Sequence, residues 1–270
     1  MNTVEHYGRE TAYHFVDRTG GDADEEGDET GPTLCFVHGA GSDRRQWTPQ
    51  HRLADRFPLA TVDLSGHGDS EDVEAEPGFT TLSAYVDDAL AVYDAVAADV
   101  LVGCSLGGAV VMQALLERDV DPDGVVLAAT GARLGVLDDL LAWLEDDFDR
   151  AVEFLHGSDR LFHDPDPDLL ERSREVLYET GRAVTARDFQ TSHRFDVRDR
   201  LGEIDTPTLV CYGKHDRMTP PWFHEYLATE IPETTLVEFA DAAHLLMLER
   251  PDAFNGVVAE FCSSLQVASG

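Results

Sequence analysis

Ser105 stands in the run Gly103-Cys104-Ser105-Leu106-Gly107, with Gly108 next. A serine hydroxyl is a weak nucleophile at neutral pH, and it becomes useful for acyl transfer when a neighbouring base takes its proton. The run DVLVGC before it reads as a buried strand, and LGGAVVMQALLE after it reads as a helix. GxSxG at such a junction is the pattern of a nucleophile elbow. The turn is sharp enough to force strained backbone angles on the serine, and glycines two before and two after it make room for the crossing chains. The hydroxyl is thereby expected above a sheet edge at a helix N-terminus, where the dipole favours a developing anion. Cys104 in the same role needs glycines at 102 and 106, where Val and Leu stand.

A serine needs a base and an orienting acid. Position selects among eleven histidines. His244 follows the apolar run TLVEF by a short loop, and Asp216 follows TLVCY in Gly213-Lys214-His215-Asp216, so both are expected at the same strand ends as Ser105. His215 adjoins Asp216 too closely to be held by that carboxylate and also reach the serine. A third strand, TLCFVH, ends in His38-Gly39-Ala40-Gly41, whose small residues let N–H groups point into the site. The expected oxyanion hole is the N–H of Leu106 with that of Ala40. His38 is expected to bond within its own loop, and His67, in DLSGHGDS, to shape the loop it sits in.

These residues require a particular scaffold. Apolar runs at 33–37, 59–62, 100–104, 124–129, 208–212 and 235–239 suit strands buried on both faces. Helical patterns at 81–97, 106–117, 221–229 and 251–265 alternate with them, and 4–16 reads as an edge hairpin broken at Gly8-Arg9. The fold class is α/β, a mostly parallel twisted sheet flanked by helices. Between 130 and 205 the alternation stops, and helical patterns at 136–155, 168–179 and 184–191 predict an inserted helical lid. The organisation expected is a core of 1–130 and 201–270 with a lid at 131–200, and selectivity is assigned to the lid. Trp47 beside the HGAG loop and Trp143 in the lid are the aromatic candidates for substrate binding. Arg44 and Arg45 follow the same loop, as surface counter-ions or as a greeting for a substrate carboxylate.

Composition excludes other classes. The chain has 270 residues, with 53 acids against 20 bases and a formal net charge of -33; 32 of the acids are Asp, and Lys214 is the single lysine. Such a surface repels phosphate backbones and anionic lipid, so neither nucleic acid nor membrane is an expected partner. Acids spread along the whole chain with almost no lysine match the proteins of salt-accumulating microbes, and a cytoplasmic location is expected. The four cysteines, Cys35, Cys104, Cys211 and Cys262, form no CxxC and read as buried thiols. HExxH, HxHxDH, Walker and strand-linked GxGxxG motifs are missing, so no catalytic metal and no cofactor are expected. The acidic run 22–29 starts like a calcium loop, but Thr33 replaces the closing glutamate, and a surface loop is expected.

In their order, HGAG, DLSGHGDS, GCSLGG, GKHDRMTPP and AAHLLMLERP resemble the α/β-hydrolase superfamily over nearly the whole chain outside the lid. Within it the sequence looks like the lid-bearing esterases and the 3-oxoadipate enol-lactonase group. The resemblance implies Ser105 as nucleophile, Asp216 as acid, His244 as base, Ala40 and Leu106 as oxyanion donors, and a small ester, lactone or thioester as substrate. It also leaves open a silent small-molecule binder, a lyase or a perhydrolase. Cys104 replaces the common histidine before the nucleophile, and Ala243 the common glycine before the catalytic histidine. Serine at position 105, where aspartate would stand, disfavours the haloalkane dehalogenase and epoxide hydrolase branches.

Overall fold

The uninterrupted apolar runs become strands because a β-strand inside a layered fold must present apolar groups to both sides. The computed structural model describes residues 1–20 and 31–268; the acidic run 22–29 lies outside them. Eight strands are described: β1 (Asn2–His6), β2 (Arg9–Val16), β3 (Leu34–Val37), β4 (Leu59–Val62), β5 (Val100–Cys104), β6 (Gly124–Ala128), β7 (Thr208–Gly213) and β8 (Thr234–Phe239). They form one sheet in the order β1-β2-β4-β3-β5-β6-β7-β8. β1 and β2 are the expected hairpin, β2 pairs antiparallel with β4, and the remaining pairs are parallel. Every residue of β3 to β7 is buried, but the run 235–239, expected to be buried on both faces, forms the edge strand β8, in which only Phe239 is buried because no strand covers its outer side.

Successive side chains of a strand face opposite layers. Cys35 and Val37 face α1 (Phe79–Ala95) and α2 (Leu106–Glu117), where Tyr85, Val86, Val110 and Met112 pack. Leu34 and Phe36 face the other layer, with Trp47 of a 3₁₀ segment at Arg44–Asp55 and with Phe254. Parallel register levels the strand ends: Val37 pairs with Gly103, and Gly103 with Leu127. The loops after β3, β5, β7 and β8 therefore meet along one edge.

Between β6 and β7 lie four helices, α3 (Asp138–Asp146), α4 (Phe148–Leu155), α5 (Pro167–Thr180) and α6 (Arg182–Arg194). The periodic stretch 136–155, expected as one helix, is two. Asp147 breaks it, because its carboxylate accepts the Arg150 N–H at 3.3 Å and caps α4, which suits aspartate better than a helix interior. Asp166 caps α5 in the same way, with Pro167 in the first turn. Leu140, Leu144, Val152, Leu155, Leu177 and Phe189 give the insertion its own apolar core, onto which Ala40, Met218, Leu245 and Leu248 also pack. The chain closes with α7 (Pro221–Glu230), α8 (Leu246–Glu249) and α9 (Pro251–Ala268). Among the described residues no helix is long and apolar enough to cross a membrane.

Candidate active site

Ser105 caps α2 with φ 54° and ψ -116°, a left-handed backbone that a serine adopts only under constraint. The constraint is crowding at the strand–helix corner. A Cβ on Gly107 would meet the carbonyl oxygens of Val37 and His38, the latter at 2.6 Å, and one on Gly103 would run into the backbone of Gly107 and Gly108. Only glycine lets β3, β5 and α2 approach this closely. The Ser105 N–H bonds to Ala128 O at 3.0 Å, and Thr130 Oγ1 donates to Ser105 O at 2.8 Å, so the corner is held on both sides.

The loops after β7 and β8 bring Asp216 and His244 together, both almost fully buried. His244 Nδ1 donates to Asp216 Oδ2 at 2.8 Å. Asp216 also accepts from Thr219 Oγ1 (2.7 Å) on the same oxygen, and from the Met218 and Thr219 N–H groups (2.7 and 2.9 Å) on the other. A carboxylate accepting four donors is fixed in orientation, and it fixes the imidazole in turn. The His244 backbone is pinned from the insertion: its N–H bonds to Arg160 O at 3.2 Å, and the Leu245 N–H to Leu161 O at 2.8 Å. Glu249 closes the loop, its carboxylate accepting the Ala243 N–H at 2.7 Å and the His163 and Asp164 N–H groups at 2.9 and 3.0 Å.

Three N–H groups of the HGAG loop and the residue after it already have protein acceptors. The Gly39 N–H bonds to Gln46 Oε1 (3.2 Å), the Gly41 N–H to Asp188 Oδ2 (2.8 Å), and the Ser42 N–H to Gly39 O (3.3 Å). Ala40 N–H takes no partner among the described residues, and neither does Leu106 N–H in the first turn of α2, where no helical acceptor exists. His38 donates from Nδ1 to Gly39 O (2.9 Å) and accepts the Leu64 N–H at Nε2 (3.1 Å); burial, with the charge of nearby His67, lowers its pKa to about 4.

Asp188 of α6 was not singled out by sequence. It is fully buried and accepts His67 Nε2–H (2.8 Å), Tyr85 O–H (2.6 Å) and the Gly41 N–H. His67 Nδ1 lies against the carbonyls of Leu64 and Ser65, so both ring nitrogens face acceptors, an arrangement that favours the protonated ring. Burial opposes that charge, but Asp188 outweighs it and raises the His67 pKa, while His67, Tyr85 and Gly41 hold the Asp188 carboxyl below its ordinary range against the same burial. The ion pair therefore ties the insertion to the HGAG loop. Nothing in the string ARDFQ distinguishes this Asp from its 31 fellows.

Ser105, Ala40 and His244 line one cavity of about 500 Å³. Its walls are apolar, from Leu155, Leu161, Leu177, Phe189, Leu245 and Leu248, and exposed Arg45, Asp166, Arg172 and Glu175 form its rim. Neither tryptophan proposed for substrate binding lines it. Trp47 is fully buried between Phe36 and Phe254 (4.9 and 6.2 Å between rings), because its 3₁₀ segment turns it toward the sheet. Trp143 packs on Phe154 (5.3 Å) under the Arg150 guanidinium, on a face of α3 away from the cavity lining. Arg44 is paired with Asp63 and Asp69, and Arg45 with Asp43 and Glu179, so both are neutralised counter-ions. The four cysteines are buried and free, and burial pushes the Cys35 and Cys262 thiols up to about 12.

An eight-stranded, mostly parallel sheet with a strained serine at one strand end and a buried Asp–His pair beside it defines a class of fold and site. The sequence model of the alpha/beta hydrolase family matches residues 36–257, and the chain belongs to that family. It is 30% identical over 253 residues to a pimeloyl-[acyl-carrier protein] methyl ester esterase of Neisseria meningitidis serogroup B, covering 84% of this chain and 92% of that protein. It is 25% identical over 257 residues to 3-oxoadipate enol-lactonase 1 of Acinetobacter baylyi, covering 89% and 92%. Among solved structures it resembles a thermophilic esterase with a TM-score of 0.83 at 27% identity, covering 98% of this chain and 97% of that one.

Proposed function

We propose that the protein is a serine hydrolase that cleaves a small or medium carboxylic ester, lactone or thioester through an acyl-enzyme intermediate. Ser105 attacks the carbonyl carbon, and His244 takes its proton and returns it to the leaving group. A water activated by the same imidazole then releases the acid. Asp216 holds the Nδ1–H tautomer and stabilises the imidazolium. The uncommitted N–H groups of Ala40 and Leu106 receive the oxyanion, an arrangement in which one donor is worth about 10²–10³ in rate. No cofactor takes part in this scheme.

The observation that carries the reading is the pairing, on one cavity wall, of a serine at φ 54° with a histidine anchored 2.8 Å from a buried aspartate. Segment 131–200 acts as the lid over a core of 1–130 and 201–270, and its leucines favour an apolar acyl or alcohol group. The names of the esterase and enol-lactonase relatives fit this bond class. The acidic surface, on the same reading, belongs to a salt-rich cytoplasm. Ser105→Ala is expected to abolish both turnover of p-nitrophenyl butyrate and labelling by a fluorophosphonate; retention of either overturns the assignment.

A further inference from the structure

A second cluster of chemically able side chains lies beside the triad and takes no part in it. Asp159 and His163 come from the turn after α4 in the insertion, and His215 comes from the loop after β7, one residue before Asp216. One donor atom from each lies within 4.8 Å of the other two. His163 Nδ1 is 2.7 Å from Asp159 Oδ1, and the His163 and His215 rings are parallel, 3.5 Å apart at their centroids. Nε2 of His163 and both ring nitrogens of His215 take no hydrogen bond among the described residues, although the cluster stands on a tightly held backbone. Asp159 sits at φ 59°, its carbonyl accepts the Arg217 N–H at 3.0 Å, and the His163 N–H is held by Glu249. Backbone is fixed; side-chain donors are spare.

We propose that Asp159, His163 and His215 form a site for a borderline divalent transition-metal ion, of the Zn²⁺ or Co²⁺ class, that fastens the insertion to the loop carrying Asp216. Two imidazoles and one carboxylate suit such ions, whereas Mg²⁺ and Ca²⁺ prefer sites made wholly of oxygen. Three protein ligands leave a fourth position to water. All three residues are partly buried, with the His163 side chain 32% and the Asp159 side chain 16% exposed, so an ion reaches them from solvent and the imidazoles have room to turn their lone pairs inward. The Arg217 side chain, whose guanidinium lies 3.1 Å from Asp159 Oδ2, is 72% exposed and swings away into water when a cation arrives. The consequence is a cross-link between insertion and core that does not rest on the hydrolytic reading.

The test uses the full chain, dialysed against EDTA and held in 2 M KCl so that its many surface acids are screened. Titration with Co²⁺ is followed by visible absorption, and thermal melting is measured with and without Zn²⁺. Expected are one Co²⁺ per chain with saturation, and a melting rise of roughly 5 to 10 °C at a hundredfold excess over Kd. Both effects should weaken at least tenfold in affinity in His163→Ala, His215→Ala and Asp159→Asn. Unsaturable uptake, or one-per-chain binding that persists in the double histidine variant, overturns the site. Carbethoxylation of the wild-type histidines, mapped by mass spectrometry, needs no variant to fold: Zn²⁺ should protect His163 and His215, and equal labelling with and without it overturns the proposal.

Discussion

Removal of the Asp188 carboxylate tests whether the insertion sets the geometry of the HGAG loop. In Asp188→Ala the His67 imidazolium, the Tyr85 hydroxyl and the Gly41 N–H all lose a buried acceptor. Breaking a buried ion pair by removing one partner costs about 3–5 kcal/mol, because the other charge is stranded. Both partners here have no exposed surface, so solvent gives little relief. For a chain of this size that corresponds to a fall in melting temperature of roughly 10 °C. The catalytic consequence runs through one peptide unit: Gly41 N–H is the neighbour of the uncommitted Ala40 N–H, and its anchor is Asp188. Misplacing a single oxyanion donor costs up to about 10²–10³, so kcat should drop about tenfold to hundredfold, and fluorophosphonate labelling should slow in parallel. KM for a short p-nitrophenyl ester should change far less. Tyr85→Phe is the control, since it deletes the hydroxyl's bond to Asp188 and the long one it accepts from Arg187 Nε, each worth about 1 kcal/mol or less, and leaves the Gly41 anchor intact. It should melt slightly lower with kcat unchanged. An Asp188→Ala protein that melts lower yet keeps its kcat within twofold refutes the link between the ion pair and the oxyanion loop.

Gly107→Ala should cost about 1–3 kcal/mol and at least tenfold in kcat, because its Cβ meets backbone oxygens that cannot rotate away; Gly256→Ala, on open helix surface, should be neutral or stabilising, and equal behaviour of the two would disprove the crowding argument. Burial lowers the His224 pKa to about 4, so the folded state binds its proton less readily than the unfolded chain; stability is complete above pH 6.5 and falls as pH drops toward 4, by about 3 kcal/mol for this ring. His224→Phe should flatten that acid limb in pH-dependent melting, and an unaltered limb would remove His224 as its cause. With a net charge of -33, melting temperature should rise steadily from 0.1 to 2 M KCl as the screening length shrinks from about 10 Å to under 3 Å; a flat or falling curve would show that the acids are not a salt adaptation.

The elbow was legible because its geometry admits few residues: glycine at 103 and 107 is dictated by carbonyl oxygens closer than any Cβ tolerates. The central strands β3 to β7 were legible for a similar reason, since burial on both faces demands unbroken apolar runs, whereas β8 shares the apolar run but lies at the sheet edge and stays largely exposed. The break at Asp147 was not, because 3.6-residue periodicity continues straight through it and only the capping carboxylate marks the joint. Trp47 misled because adjacency to the HGAG loop in sequence says nothing about which side of the 3₁₀ segment faces the cavity. Asp188 and Glu249 were invisible for a deeper reason: in a chain with 32 Asp and 21 Glu, identity carries almost no information, and burial with three donors carries all of it.

That same contrast bears on how the insertion works. A flap hinged only at its ends would adjust substrate choice and leave reactivity alone. Here the segment reaches the candidate site directly: Arg160 O holds the His244 N–H, Leu161 O the Leu245 N–H, Asp159 O the Arg217 N–H beside Asp216, and the Asp188 carboxylate the Gly41 N–H beside Ala40. Each loop assigned a role in the proposed reaction, except the elbow, thus has a partner in the insertion. Its apolar face lines the cavity, and on the proposed reaction its backbone would position the base, the acid loop and the oxyanion loop together, so selectivity and reactivity would be coupled in one element and a substitution that loosens it should disturb both.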